Sequence, residues 1–272
     1  MRTLKNQTLL YDADCPLCCV YTAGFVKAEM LGENGRKPFS EISADEQVFV
    51  DVRRAANEIA LLDNDSKTVL YGVESLLKVV GNSFPWIEAV GNWKPLNVGL
   101  RKLYSFISYN RKVIIPSQPR LNLPLACVPD FNLKYRILFI MFAGLATALT
   151  LYNFSALLPV PKGSFGRDLL LAFGQVGFQC LFMIKSDNRT VLNYVGNLMT
   201  VSLMGALMLL PLLLISAFAD IPTLVALAWF GLTAIVMFAE HFRRIRLLKL
   251  PARLCYTWIL YRILALILIL TL

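Results

Sequence analysis

The chain reads as two domains of different class: an α/β domain followed by an all-α membrane bundle of about five spans. Three observations predict this division. Of 272 residues, 57% are hydrophobic and only 17% charged, and mean hydropathy is +0.58, too apolar for a disordered chain and unusual for a soluble domain. Charge is unevenly spread: residues 1–133 hold 15 Lys/Arg and 14 Asp/Glu, a net of +1, whereas residues 134–272 hold 12 and 4, a net of +8. Short apolar runs with turn signals fill the first half, and long apolar stretches fill the second. The basic excess thus belongs to the apolar half, where it marks membrane orientation. The first half carries no basic patch with interleaved aromatics, so nucleic acid is excluded as a partner. Six cysteines in this length are too few and too scattered for a disulfide-stapled secreted module.

Residues 1–15 contain one short apolar run, broken by Asp12 and Asp14, which is not the pattern of a secretory signal. The run QTLLYD predicts a buried strand, and residues 16–30 a helix with Pro16 in its first turn. KPFSEIS is a short strand candidate, followed by a helix over 44–57. EIALLD and TVLYG flank the turn NDSK and predict a hairpin. Two further helices are expected around 73–80 and 96–108. The resulting order, β-α-β-α-β-β-α, is that of a thioredoxin-like fold. This domain is assigned residues 1–115. Pro116, Pro119, Pro124 and Pro129 mark residues 116–133 as a Pro-rich linker, and residues 134–272 form the transmembrane helical domain.

The apolar stretches run over 135–158, 169–184, 194–218, 222–239 and 254–272, near the length of about 17–25 residues that a helix needs to cross a bilayer. The segment 240–253 holds Arg243, Arg244, Arg246, Lys249 and Arg253, whereas the turn at Asp220 has no Lys or Arg. Cytoplasmic loops are enriched in Lys and Arg, so the former segment is expected inside. Counting back over five spans puts Lys185 and Arg189 inside, Lys162 and Arg167 outside, and the α/β domain inside beside Lys134 and Arg136. The expectation is a multi-pass membrane protein with a cytoplasmic N-terminal domain.

The strongest chemical signal is Tyr11-Asp12-Ala13-Asp14-Cys15-Pro16-Leu17-Cys18-Cys19. A strand ending at Asp12 and a helix starting at Pro16 put Cys15 at a helix N-terminus. There, aligned dipoles and unpaired N–H groups stabilise an anion and draw the thiol down from its free value of about 8.5. Cys18 lies nearly one turn further on, so the two sulfurs can meet, one attacking a disulfide and the other resolving the mixed disulfide. Cys19 points about 100° away and reads as packing or a spare thiol. A zinc site competes with this reading, but it needs four ligands, and Cys127, Cys180, Cys255 and the single histidine, His241, stand apart. An inert pair is the third alternative. Asp12 reads either as an acid or base that relays the resolving proton or as a helix cap. Asp14 is the better cap candidate, and its charge opposes thiolate formation.

Asp12-x-x-Cys15-x-x-Cys18 after a short strand resembles the DCC family of thiol-disulfide oxidoreductases, named for that pattern. ALLDNDSKTVLYGVESLLKVVG resembles the family's hairpin, glycine and helix, and LRKLYSFISYNRKV, with Tyr104, Asn110 and Arg111, resembles its closing helix. The likeness spans about residues 7–113. It implies a thioredoxin-like fold and dithiol-disulfide exchange, with Cys15, Cys18 and Asp12 as site residues, and it names no substrate. Members commonly have Gly where Ala13 stands. Thioredoxins also place a proline opposite the dithiol, and no proline occurs between Pro38 and Pro85.

In the apolar half, the pairs Gln175/Gln179 and Asn193/Asn197 read first as interhelical hydrogen bonding. Arg262 near the middle of the last span is costly to bury; pairing with Glu240, contact with an anionic lipid or quinone headgroup, and snorkelling are the options. One histidine cannot ligate haem twice. Cys127, Cys180 and Cys255 all fall toward one membrane side, so no thiol relay is supported, and a quinone is conceivable but unsupported. The expectation is a cytoplasm-facing dithiol oxidoreductase tethered to the bilayer. It needs no cofactor beyond its own dithiol and acts on a protein or small-molecule disulfide. The alternative is a multi-span transporter or membrane scaffold whose thioredoxin-like domain senses redox state or docks partners.

Overall fold

A computed structural model of the chain describes residues 2–117, 125, 131–161 and 163–271. It divides into two compact units, Met1–Tyr135 and Arg136–Leu272. Most of the 116–133 linker, together with Cys127 and Lys162, lies outside the described residues.

The first unit is built on strand β1 (Gln7–Tyr11), helix α1 (Pro16–Lys27), strand β2 (Arg36–Pro38), short helices α2 (Ala44–Gln47) and α3 (Val52–Asn57), and the hairpin β3 (Ala60–Asp63) and β4 (Thr68–Tyr71). Helices α4 (Val73–Ser83), α5 (Pro85–Gly91) and α6 (Lys94–Ile114) complete it. The strands form one mixed sheet in the order β2-β1-β3-β4. β1 runs parallel to β2 and antiparallel to β3, with Leu9 opposite Leu61, and β3 runs antiparallel to β4. A parallel pair needs a crossover connection, which α1 supplies.

Because side chains alternate along a strand, β1 and β3 serve two cores. Leu9 and Leu61 pack with Leu4, Leu31 and Val79 on one face; Leu10, Ala60 and Leu62 pack with Phe39, Val50 and Tyr71 on the other. Strands buried on both faces read as continuous apolar runs, which is why the buried centres Leu9-Leu10 and Ala60-Leu61-Leu62 have no polar alternate.

Several elements differ from the sequence expectation. Helix α1 stops at Lys27, and Glu29 takes a positive φ of 56° as the chain turns back. The helix expected over 44–57 is two. Ser43 and Glu46 form a reciprocal capping box at α2. Asp51 starts α3 by accepting from the Arg54 N–H, while its own N–H donates to Tyr71 Oη at 2.8 Å. That bond and the buried Val50 pin the break to the sheet. KPFSEIS is strand only over Arg36–Pro38, then turns into a 3-10 segment, Phe39–Glu41. Helix α5 was not expected, and α6 continues to Ile114, past the expected end at 108.

The second unit contains α7 (Leu133–Phe154, entering from the preceding unit), α8 (Phe165–Leu181), α9 (Asn188–Ser216), α10 (Thr223–Leu247) and α11 (Arg253–Thr271). Among the described residues, four helical segments are long and apolar enough to cross a membrane: Leu133–Leu157, Asn188–Ser216, Thr223–Leu247 and Arg253–Thr271. At 17 residues, α8 is shorter. Some polar side chains in the unit bond across helices. Gln179 Nε2 donates to the Leu254 carbonyl and Gln179 Oε1 accepts from Thr257, joining α8 to α11. Asn197 Oδ1 accepts from Arg244 Nη1 at 2.8 Å, joining α9 to α10. Glu240 is held by Arg243 and Arg244 at 2.6 and 2.7 Å, so the pairing of Arg262 with Glu240 is not what the structure has. The basic side chains Arg243, Arg244 and Arg246, expected in a loop, ride on the last turns of α10.

Gly72 joins β4 to α4 with a φ of +59°, and a Cβ added there would lie 2.9 Å from Glu58 Oε2. Both the backbone conformation and the contact disfavour a side chain. Gly72→Ala is expected to lower the unfolding free energy of the first unit by about 1–3 kcal/mol, read as an earlier denaturant midpoint in the purified chain.

Candidate functional site

The segment from Asp12 to Cys18 is shaped by a strand that ends and a helix that begins within four residues. Cys15 is the N-cap of α1, with extended backbone (φ −97°, ψ 109°), and Pro16 occupies the first helical position, where its missing N–H is no loss. The Cys15 N–H donates to the Asp12 carbonyl at 3.2 Å, closing the turn. No side chain caps the helix, so the cap role expected of Asp14 is not realised. The free N–H groups of the first turn therefore face the Cys15 sulfur rather than a carboxylate, the arrangement that favours an anion.

Cys15 and Cys18 are both free thiols and both buried, 5% and 6% exposed. The Cys18 thiol and backbone N–H both hydrogen-bond to the Cys15 sulfur, and these bonds bring the Cys15 pKa down to about 6 against the opposing effect of burial. The same hydrogen bond, with burial, pushes Cys18 far up. One sulfur is thus an anion at neutral pH and the other stays protonated beside it. Tyr21, one turn beyond Cys18, hydrogen-bonds to the Cys18 sulfur, and burial raises its own hydroxyl strongly. Cys19 turns aside and donates to the Ala13 carbonyl at 3.4 Å.

Asp12 does not cap the helix either. Its Oδ1 accepts from the Asp14 N–H at 3.0 Å, and its Oδ2 accepts from Arg111 Nη2 at 3.0 Å, a buried ion pair across 99 residues of sequence. Burial is the largest influence on Asp12 and lifts its carboxyl above the usual carboxylate range, with Arg111 offsetting part of the rise. Arg111 also favours the Cys15 thiolate, while Asp12 opposes it. Helix α6 is itself fixed to the sheet: Tyr104 Oη accepts from the Ile59 N–H at 2.9 Å, and Ser108 Oγ donates to the Asn57 carbonyl. A cavity of about 10 Å³ lies among Asp12, Cys18, Tyr21, Glu58 and Arg111, roughly the space of a single water.

The structure therefore brings Cys15, Cys18 and Asp12 together with Arg111, Tyr21 and Glu58. Tyr21 carried a legible signal, since it follows Cys18 by three positions and so lies on the same helical face. Glu58 carried none, because only the return of β3 places it there. Among the described residues, no three His, Cys, Asp or Glu side chains group as metal ligands. The chain matches no protein-family model, no curated protein and no solved structure.

Four outcomes are expected. The alkylation rate of Cys15, which tracks the thiolate fraction, should be half-maximal near pH 6 and level off above it, whereas an ordinary thiol keeps accelerating toward pH 9. Cys18→Ala should move that midpoint upward by a pH unit or more, roughly the effect of losing hydrogen bonds to a charged sulfur. Arg111→Met leaves Asp12 buried without its cation and is expected to destabilise the first unit by about 3–5 kcal/mol, while Asp12→Asn lowers the Cys15 midpoint.

Proposed function

We propose that the chain is a thiol-disulfide oxidoreductase with a thioredoxin-like head, similar to the DCC family, tethered to the bilayer by its apolar helices. The observation that carries this reading is the Cys15 sulfur held as an anion at the start of α1 with the protonated Cys18 thiol donating to it. The sheet order β2-β1-β3-β4, with a parallel crossover followed by an antiparallel hairpin, supports the thioredoxin-like assignment.

The exchange runs in two displacements. The Cys15 thiolate attacks one sulfur of a substrate disulfide; that S–S bond breaks, and the departing thiolate takes a proton from solvent. Cys18 then gives up its proton and attacks the Cys15 sulfur, releasing the second substrate thiol and leaving a Cys15–Cys18 disulfide. Asp12, with its carboxyl raised by burial, is the base for the Cys18 proton. The substrate disulfide is reduced by two electrons and the protein dithiol is oxidised by two, so a dithiol donor must restore the pair.

The basic end of α10 supports a cytoplasmic head if all five helices cross, and α8, at 17 residues, stands at the lower limit of about 17 for a spanning helix. In the reducing cytoplasm the pair rests reduced, which favours disulfide reduction.

The test uses purified full-length protein in detergent with insulin or a small aromatic disulfide and excess dithiol. Wild type is expected to turn over, and Cys15→Ser to fall to the uncatalysed rate. Equal rates for the two proteins would remove the oxidoreductase reading, as would about one zinc per chain by elemental analysis. In cells, Cys18→Ser should accumulate a mixed disulfide with substrate through Cys15; its absence would favour the transporter or scaffold reading.

A further inference from the structure

Some buried polar side chains of the second unit have an atom with no hydrogen-bond partner, Gln175, Tyr194 and Arg262 among them. Arg262 sits at the middle of α11, and its guanidinium lies over the Trp258 ring, 4.6 Å from the centroid. Its Nε is buried without a hydrogen-bond partner. Glu240, the nearest acidic candidate in sequence, is already shared by Arg243 and Arg244. Arginine stays protonated in any protein setting, so this helix carries a cation at mid-span with no counter-charge among the described residues.

Arg262 lines a cavity of about 30 Å³ bordered by α7, α9, α10 and α11. Thr147 of α7 also lines it, is buried at 7% exposed, and its Oγ1 likewise has no hydrogen-bond partner. The other two hydroxyls on the wall are engaged: Thr233 donates to the Trp229 carbonyl at 2.9 Å, and Ser202 donates, at a long 3.4 Å, to Leu198. The rest of the wall is apolar, including Leu151, Leu209 and Phe230. Arg262 and Thr147, each with a buried polar atom left without a partner, thus line a single largely apolar space.

We infer that this cavity is a binding site for a small monovalent anion of halide size, held by Arg262 Nε–H and the Thr147 hydroxyl. Charge fixes the sign of the ligand, and donor geometry fixes its chemistry as a hydrogen-bond acceptor. The cavity has room for about two waters or one halide. An anion there neutralises the mid-span cation, which the bilayer interior otherwise penalises. The site rests on the second unit alone and is independent of the thiol chemistry.

The experiment follows the melting temperature of the purified full chain in detergent as gluconate is replaced by chloride or bromide at constant ionic strength. A ligand that binds only the folded state raises the melting temperature saturably. Wild type is expected to respond to both halides. Thr147→Val is expected to need about tenfold more halide, the loss of one hydrogen bond to a charged group, and Arg262→Met, whose chain still packs on Trp258, to show no halide response. Anomalous diffraction from bromide-soaked crystals of the wild type should place the ion in this cavity. No difference between gluconate and halide in wild type would overturn the proposal, as would a response that Thr147→Val leaves unchanged, one produced only by acidic phospholipid, or bromide found elsewhere. Should Arg262→Met fail to fold, the wild-type bromide position and the Thr147→Val titration still decide.

Discussion

The buried contact between Asp12 and Arg111 is the constraint on which the N-terminal site depends. Asp12 is the last residue before the turn that carries Cys15, and Arg111 is on the last turn of α6, so a single ion pair fastens the cysteine loop to the far end of the unit. Such a pair is weak as a source of stability because both ions are taken from water, yet it is severe on any geometry that separates them. The register of α6 is set by Tyr104 and Ser108 against the Asn57–Ile59 segment that leads into β3. The position of Cys15 therefore follows from packing between elements far apart in sequence.

The electrostatics of the site work by opposition. Burial disfavours every charge in it, the Cys15 thiolate included, and Asp12 adds a repulsion. The Cys18 hydrogen bonds, with a smaller attraction from Arg111, outweigh both. Because no carboxylate occupies the cap position, the helix end is left for the sulfur. The asymmetry between two chemically identical thiols comes from their places in one helical turn: the first meets N–H groups, and the second meets the first, Tyr21 and apolar walls.

Much of this was legible in the sequence for a simple reason. Strand β1, the Cys-x-x-Cys turn and helix α1 are contiguous, and the hairpin announces itself by its NDSK turn, so local rules suffice. The failures are those in which distant residues decide. The break between α2 and α3 depends on Tyr71, whose hydroxyl takes the Asp51 N–H from another element. Asp14 has the right residue type and position for a cap, yet the turn is closed instead by the backbone of Asp12. Arg111 was visible as part of a resembling segment, but its partner was not, since nothing in the spacing of residues 12 and 111 marks them as neighbours. In the apolar half, helix length and composition were easily read, whereas the partners of Gln179 and Asn197 required the packing of helices far apart in sequence.

The acidity of Cys15 has a thermodynamic corollary for any disulfide formed between it and Cys18. Below about pH 6 the reduced pair holds two protons, and above it only one, because the first sulfur has already surrendered its own. Each proton taken up with a two-electron couple contributes about 30 mV per pH unit to the midpoint potential. Potential should therefore fall by about 59 mV per pH unit on the acid side and by half that through the neutral range. The couple is thereby less sensitive to acidity through the neutral range than below about pH 6.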